Sequence, residues 1–382
     1  MTGTNPVLTS VVCGKIMGFN CGIVGLPNVG KSALFNALTA TEAAQATKYP
    51  FSTRESNVGR VGVPDERLDV CARLAKSAKI VPTQIEFVDI AGLVRGASKG
   101  QGLGNQFLGH LRDVHAIAHI LRCFDDDNIV HVEGSVDPIR DAETVETELM
   151  LADLESLERR IVAANKRARG GDKEAKVQLA VIEPVLAGLQ EGIPARRVTL
   201  APEQQAQLRL LQLVSAKPVL YIANVDEASA AAGNAASRRV ADYAATQGAS
   251  AVVISAAIEA ELAMLADPAE RREFLAALGL GETGLDQVIR AGYALLDLIT
   301  YLTAGPKEAK AWTITRGTKA PQAAAVIHTD FEKGFIRAET IAYADFVACG
   351  GEQGAKDAGK MRLEGAEYVV QDGDVMHFRF NV

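Results

Sequence analysis

Gly25-Leu26-Pro27-Asn28-Val29-Gly30-Lys31-Ser32 follows the apolar run Phe19-Asn20-Cys21-Gly22-Ile23-Val24 directly and precedes the helical run Ala33-Leu34-Phe35-Asn36-Ala37-Leu38. A G-x-x-x-x-G-K-S octapeptide in that setting confines the segment to a strand, a tight loop and a helix. The glycines let successive backbone N–H groups turn inward around an anion, and the helix N-terminus adds its positive end. Asn28, Val29, Gly30, Lys31, Ser32 and Ala33 are therefore the expected phosphate-binding residues. Lys31 is placed to reach the β and γ phosphates and Ser32 to ligate Mg2+.

The next apolar run, Ile85-Glu86-Phe87-Val88, ends in Asp89-Ile90-Ala91-Gly92. A carboxylate there stands beside the metal, and a glycine N–H comes within reach of a γ-phosphate. Between the two motifs lies Pro50-Phe51-Ser52-Thr53, whose threonine is suited to complete the Mg2+ shell when the third phosphate is present. Ser32, Thr53 and Asp89 form the expected metal set, and Gly92 joins Lys31 as an expected catalytic residue.

Further apolar runs recur at Ile117–Leu121, Val219–Ala223 and Ala251–Ile254, with helical patterns between them. Such alternation predicts an α/β fold with a mainly parallel sheet covered by helices, its ligands at the carboxyl ends of the strands. The runs near Ile120 and Leu220 are about a hundred residues apart, too far for one crossover helix, so an inserted domain is expected. Leu149, Leu154, Leu157 and Ile161 recur at helical spacing, and Gly170-Gly171 breaks the pattern, which predicts an antiparallel helical pair. After Gly305-Pro306 come β-like runs at Ala311–Ile314, Tyr368–Val370 and Val375–Phe378, with glycine-rich breaks between them. The resulting division is a disordered leader at 1–16, a nucleotide-binding domain at 17–138 and 206–298, a helical insertion at 139–205, and a small α+β domain at 299–382.

With 40 basic and 47 acidic residues the chain carries a net charge of −7, so whole-molecule electrostatics will not draw it onto nucleic acid. DNA sequence recognition is not expected. A local basic run, Arg159, Arg160, Lys166, Arg167, Arg169, Lys173 and Lys176, contrasts with that charge and reads either as a solvated face or as an RNA or ribosomal contact. No apolar stretch approaches the ~18 residues needed to span a bilayer, and a soluble cytoplasmic protein without a membrane partner is expected. The five cysteines, Cys13, Cys21, Cys71, Cys123 and Cys349, are scattered and read as reduced thiols. His119 and Cys123 read as same-face strand neighbours rather than metal ligands.

Gly25–Ser32, Asp89–Leu93 and Gly96-Ala97-Ser98-Lys99-Gly100-Gln101-Gly102-Leu103-Gly104-Asn105-Gln106-Phe107-Leu108 resemble the Obg superfamily of translation-factor NTPases, and within it the YchF or Obg-like ATPase branch. Asp127-Asn128-Ile129-Val130-His131-Val132, Asn224-Val225-Asp226-Glu227 and Lys333–Ala338 are similar to signatures of the same branch. The resemblance runs from Met17 to Val382 and implies a P-loop core, a helical insertion and a C-terminal β-grasp module of the TGS type.

Guanine-specific relatives carry N-K-x-D, whose aspartate accepts from the guanine edge. Here the lysine is missing and the fourth position is Glu227, one methylene longer. The N-x-x-E form goes with adenine in the resembling family, which implies Asn224, Val225 and Glu227 as base-binding residues, with Asp226 reading guanine in a shifted register as the rival. Leu93 stands where Ras-like GTPases place the glutamine that orients water, and the resemblance gives that task to His131. It also implies ATP as ligand, the ribosome (rRNA or ribosomal proteins) as partner, and K+ beside Mg2+, because Asn28 occupies the position where cation-dependent relatives carry asparagine. The expectation is an ATP-hydrolysing switch acting in translation or stress response. A GTPase of the same fold, or a nucleotide-gated ribosome-binding module with negligible turnover, is the alternative. Relatives often carry cysteine where Ser52 stands here, so redox control is not carried over.

Overall fold

The computed structural model describes residues 19–46, 58–90 and 103–381. Its strands are β1 (Phe19–Val24), β2 (Val58–Gly62), β3 (Ile80–Val81), β4 (Gln84–Asp89), β5 (Ala116–Arg122), β6 (Val219–Asn224), β7 (Ser250–Ile254), β8 (Leu298–Ala304), β9 (Ala309–Thr315), β10 (Phe335–Ile341), β11 (Arg362–Glu364) and β12 (Val375–Phe380). Its helices are α1 (Lys31–Ala46), α2 (Glu66–Ala75), α3 (Leu103–Asp113), α4 (Pro138–Arg169), α5 (Lys173–Gln190), α6 (Pro202–Leu210), α7 (Ala235–Thr246), α8 (Ala256–Met264), α9 (Pro268–Ala277), α10 (Gly284–Leu295), α11 (Ala320–Ile327), α12 (Thr329–Lys333), α13 (Tyr343–Ala348) and α14 (Glu352–Asp357). The chain divides into two compact units, one of Asn20–Val61 with Glu86–Leu295, the other built on Gly62–Ile85 and Leu296–Val382.

The larger unit holds a sheet of order β2-β4-β1-β5-β6-β7. β1, β5, β6 and β7 run parallel, with Cys21 opposite Ala116, Ile117 opposite Val219 and Leu220 opposite Ser250. Every residue of β5 and β6 is buried, which is why these strands read as unbroken apolar runs. Besides His119 within β5, polar side chains close the two strands: Arg122 ends β5 opposite Asn224, which ends β6. Both therefore stand at the carboxyl edge, where this sheet architecture places its ligands.

The expected helical pair is present as α4 and α5. Asp137 caps α4 by accepting from the Ile139 N–H, and Asp172 caps α5 by accepting from the Ala175 N–H. Gly170-Gly171 makes the turn, with Gly171 at φ 92°. Leu157, Val181, Ile182, Val185 and Leu189 form the core between the helices, and it continues onto Leu208, Leu211 and Leu213. The apolar layer thus runs past residue 205 because α6 folds back onto the pair.

In the smaller unit β9, β8, β12, β10 and β11 lie side by side, with β8 parallel to β12 in the middle and antiparallel pairs outside, the order expected of a β-grasp. Two features depart from the sequence reading. Tyr368–Val370 is no strand: Val369 makes a single bridge to Lys319, because a turn closed by Tyr368 N–H to Gly365 O and another around Gln371–Asp374 leave no room for a ladder. Gly62–Ile85 also packs here rather than with the nucleotide-binding unit that the 17–138 boundary assigned it to. Leu68, Cys71 and Ala72 of α2 share a core with Leu302, Ala309, Ala311, Ile341 and Phe346, β3 pairs with β9, and Arg67 bridges to Asp372 at 2.9 Å.

Among the described residues no helix is long and apolar enough to cross a membrane. Cys21, Cys71 and Cys123 are buried free thiols, and Cys349 is free and half-buried.

Candidate active site

The phosphate loop joins β1 to α1 as its sequence requires. Gly25 has room for no side chain, since a Cβ would lie 2.6 Å from the Ile120 carbonyl oxygen. Gly30, at φ 100°, would drive a Cβ into the Asn224 amide. Lys31 Nζ donates to the Gly25 and Leu26 carbonyls at 2.8 Å each, which lays the ammonium across the loop. Burial pulls its pKa below the ordinary lysine value, and Asp89 partly offsets this. Asp89, half-buried at the end of β4, is pushed up by burial and pulled back by Lys31. Each charge moderates the desolvation of the other. Ser32 lies exposed in the first turn of α1.

A hydroxyl and a carboxylate are hard oxygen donors of the kind Mg2+ takes, and Ser32 and Asp89 fit such an ion. Thr53 and Gly92, with Ser52, Leu93, Gly96–Gly102 and the leader 1–16, lie outside the described residues. Among the described residues no three histidine, cysteine or acidic side chains gather as a metal cluster. His119 is buried against Tyr221, ring centroids 5.7 Å apart, and burial pulls its pKa down to about 3.

The Asn224 amide joins three elements. Its Nδ2 donates to the Val29 carbonyl at 2.9 Å, and its Oδ1 accepts from the Ala256 N–H at 2.9 Å. Strand β6 is thereby pinned to the phosphate loop and to the start of α8. The Val225 N–H is engaged with the Ile254 carbonyl at 2.8 Å and its side chain is buried, whereas Glu227 is exposed. Asp226 turns inward on its own loop: Oδ1 accepts from the Ser229 N–H at 2.9 Å and Oδ2 from the Ser229 hydroxyl at 3.1 Å. A carboxylate with both oxygens so engaged would have to share or give up these contacts to accept from a purine edge.

His131 is 7 % exposed, a buried residue where the sequence places it on a polar loop. Its Nδ1 accepts from the Glu133 N–H at 3.1 Å, and its Nε2 donates to Asp141 Oδ2 at 2.8 Å. Asn28, at φ 62°, donates from Nδ2 to the Val130 carbonyl at 3.0 Å. The structure therefore brings Asn28, Val29, Gly30, Lys31, Asp89 and Asn224 around one loop, with His131 beside it but turned into the protein.

Sequence reasoning missed three contributors. The Arg122 guanidinium donates to the carbonyls of Phe124, Asp126 and Ile129 at 3.1, 3.1 and 2.8 Å, framing the loop that carries His131. The signal for it was an arginine closing an otherwise apolar strand. Asp141 gave none, being one acid among many on α4. Ser255-Ala256, after β7, gave the weak signal of a polar break at a strand's carboxyl end.

The model described as 50S ribosome-binding GTPase matches residues 20–166, and YchF-GTPase_C, described as a protein of unknown function (DUF933), matches residues 298–381. The Ribosome-binding ATPase YchF of Haemophilus influenzae is 58 % identical over 366 residues, covering 96 % of this chain and 100 % of that protein. The protein of the same name from Bacillus subtilis is 53 % identical over 368 residues, again 96 % and 100 %. Among solved structures, that of the Schizosaccharomyces pombe YchF GTPase superposes with a TM-score of 0.86 at 37 % identity, covering 96 % of this chain and 99 % of that one. With such identity extending across both units, the chain belongs to the YchF family.

Proposed function

We propose that the chain is a Mg2+-dependent ATPase, converting ATP and water to ADP and phosphate, and that it works as a molecular switch on the ribosome. The observation that carries the choice of base is the pair Asn224 and Asp226. The first is fixed to the phosphate loop, which aligns the base-binding edge with the phosphates, while the second has both oxygens engaged in its own turn. Guanine selectivity needs a carboxylate free to accept from two N–H groups, so an adenine base held by Asn224, Val225, Glu227 and neighbouring backbone suits this edge better. The names of the bacterial relatives, ribosome-binding ATPases, agree with it. The S. pombe relative goes by the name of a GTPase, which favours a second reading, a GTPase of the same fold in which Asp226 leaves its turn.

Lys31 and the N–H groups of residues 28–33 hold the phosphates, and Gly92, which lies outside the described residues, is assigned to the γ-phosphate from its place after Asp89 in the sequence. Ser32 and Asp89, with Thr53 as the third expected ligand, would hold Mg2+, which would supply positive charge to the phosphate oxygens. His131 orients the attacking water in place of the side chain that Leu93 lacks. Phosphoryl transfer is mostly positioning and electrostatics, so these residues suffice without a covalent step. K+ at Asn28 draws on that residue's exposed place at the open end of the loop.

The ribosomal contact is assigned to the basic run at the turn between α4 and α5. Lys166, Arg169, Lys173 and Lys176 have no ion pair among the described residues, whereas Arg167 pairs with Asp172 at 2.6 Å. A cytoplasmic location follows from a ribosomal partner. Turnover of ATP with and without ribosomes tests the proposal. Stimulated release of phosphate, lost in Lys31→Ala, supports it, and equal turnover in both conditions contradicts the ribosomal part.

A further inference from the structure

The segment Val130-His131-Val132 is turned inside out. Val130 is 75 % exposed and Val132 49 %, while the imidazole between them is buried. Apolar side chains face water and the polar one faces inward, the reverse of what desolvation favours. The inversion persists because the ring has two partners inside, the Glu133 N–H on Nδ1 and Asp141 Oδ2 on Nε2. Asp141, 1 % exposed, is in turn held by Arg140, whose Nη2 lies 3.1 Å from Oδ1 and whose Nη1 donates to the Ser135 hydroxyl at 2.9 Å.

Asp141 lies in the first turn of α4, the helix that runs on to the basic turn at Gly170. At its other end the loop is tied by Arg122 through Ile129 and by Asn28 through Val130. The ring is thus held by the insertion, and its backbone by the phosphate loop. A half-turn of this short segment exchanges the exposed valines for the imidazole; it breaks the two ring hydrogen bonds and reorients the Val130 carbonyl, held by Asn28 at 3.0 Å, and the His131 carbonyl, held by the Gly134 N–H at 3.0 Å.

We propose that Asp141 is a positioning residue that stores His131 away from the nucleotide, and that displacement of the first turn of α4 by a partner on the helical insertion releases the ring toward the attacking water. This rests on the reading of His131 as the group that orients that water. The catalytic step is unchanged; Asp141 sets how often the ring is available for it, and availability reduces kcat without touching ground-state ATP binding.

The test is steady-state ATP hydrolysis by the full chain bearing Asp141→Asn, which keeps the shape of the side chain but removes the charge that holds Nε2. The expected result is a rise of about 3-fold or more in ribosome-free kcat with KM for ATP within 2-fold, and a correspondingly smaller ribosomal stimulation. The double variant Asp141→Asn with His131→Ala shows no rise. A kcat at or below that of the unsubstituted chain, at unchanged thermal midpoint, overturns the proposal, as does a rise that survives removal of His131. If His131→Ala by itself leaves kcat unchanged, the underlying catalytic reading fails instead. A measurement on the unsubstituted chain guards against a variant that does not fold: diethylpyrocarbonate modifies His131 faster with ribosomes and a non-hydrolysable ATP analogue than with ADP alone. Equal modification rates overturn the proposal.

Discussion

The Asn28 amide donates to the Val130 carbonyl at 3.0 Å, so the phosphate loop is hydrogen-bonded to the residue next to His131. With Nδ2 so engaged, Oδ1 is the atom of Asn28 left to coordinate a monovalent cation. Hydrolysis is expected to run faster in K+ than in Na+ at fixed ionic strength, since a cation at that point covers charge developing between the β and γ phosphates. Equal rates in the two salts rule out a role for the cation.

His131→Ala is expected to lower kcat by about 10- to 100-fold, at and below the low end of the ~10²- to 10⁴-fold of a proton-transferring group, because the ring orients the water without taking its proton. ATP affinity, measured by calorimetry, stays nearly constant, because the ring makes no contact with a phosphate in the ground state. A loss of about 1–3 kcal/mol in stability accompanies it, since Asp141 is left buried with one partner fewer. Loss of affinity in step with kcat assigns His131 a structural role.

Glu259 on α8 supplies a prediction about pH. Its Oε1 accepts from the Gly284 N–H at the start of α10 at 2.7 Å, and burial nevertheless pushes its carboxyl from 4.5 up to about 7. A raised folded-state pKa means that the folded chain holds this proton when the unfolded chain has released it. Stability therefore falls as pH rises from about 4.5 to about 7, by up to about 3 kcal/mol. Glu259→Gln keeps the acceptor without the titration. Its stability advantage over the unsubstituted chain should grow across that window in urea melts, and parallel curves refute the assignment.

Contiguous features were legible in the sequence, and pairings were not. Gly25–Ser32 announces itself because one octapeptide contains the whole phosphate cradle, and Gly170-Gly171 marks the α4–α5 turn because only glycine there meets φ 92° without strain. The apolar face of α2, by contrast, looks the same whichever sheet it covers. Nothing in Leu68, Cys71 and Ala72 indicates that their partners are Leu302 and Phe346, more than two hundred residues on. Tyr368–Val370 has the composition of a strand, but flanking turns limit it to one bridge. The position of His131 on a loop was readable, whereas its burial depends on Asp141, a choice among the acids of α4 that only the packing makes.

Titration calorimetry of the full chain with ATP and with GTP, each with Mg2+, separates the two base assignments directly. With Asp226 engaged in its own turn and Asn224 fixed to the phosphate loop, ATP should bind at least about 10-fold more tightly than GTP, a difference of about 1.4 kcal/mol. Equal affinity, or a preference for GTP, would contradict the ATPase reading and place the Asp226 carboxylate on the base.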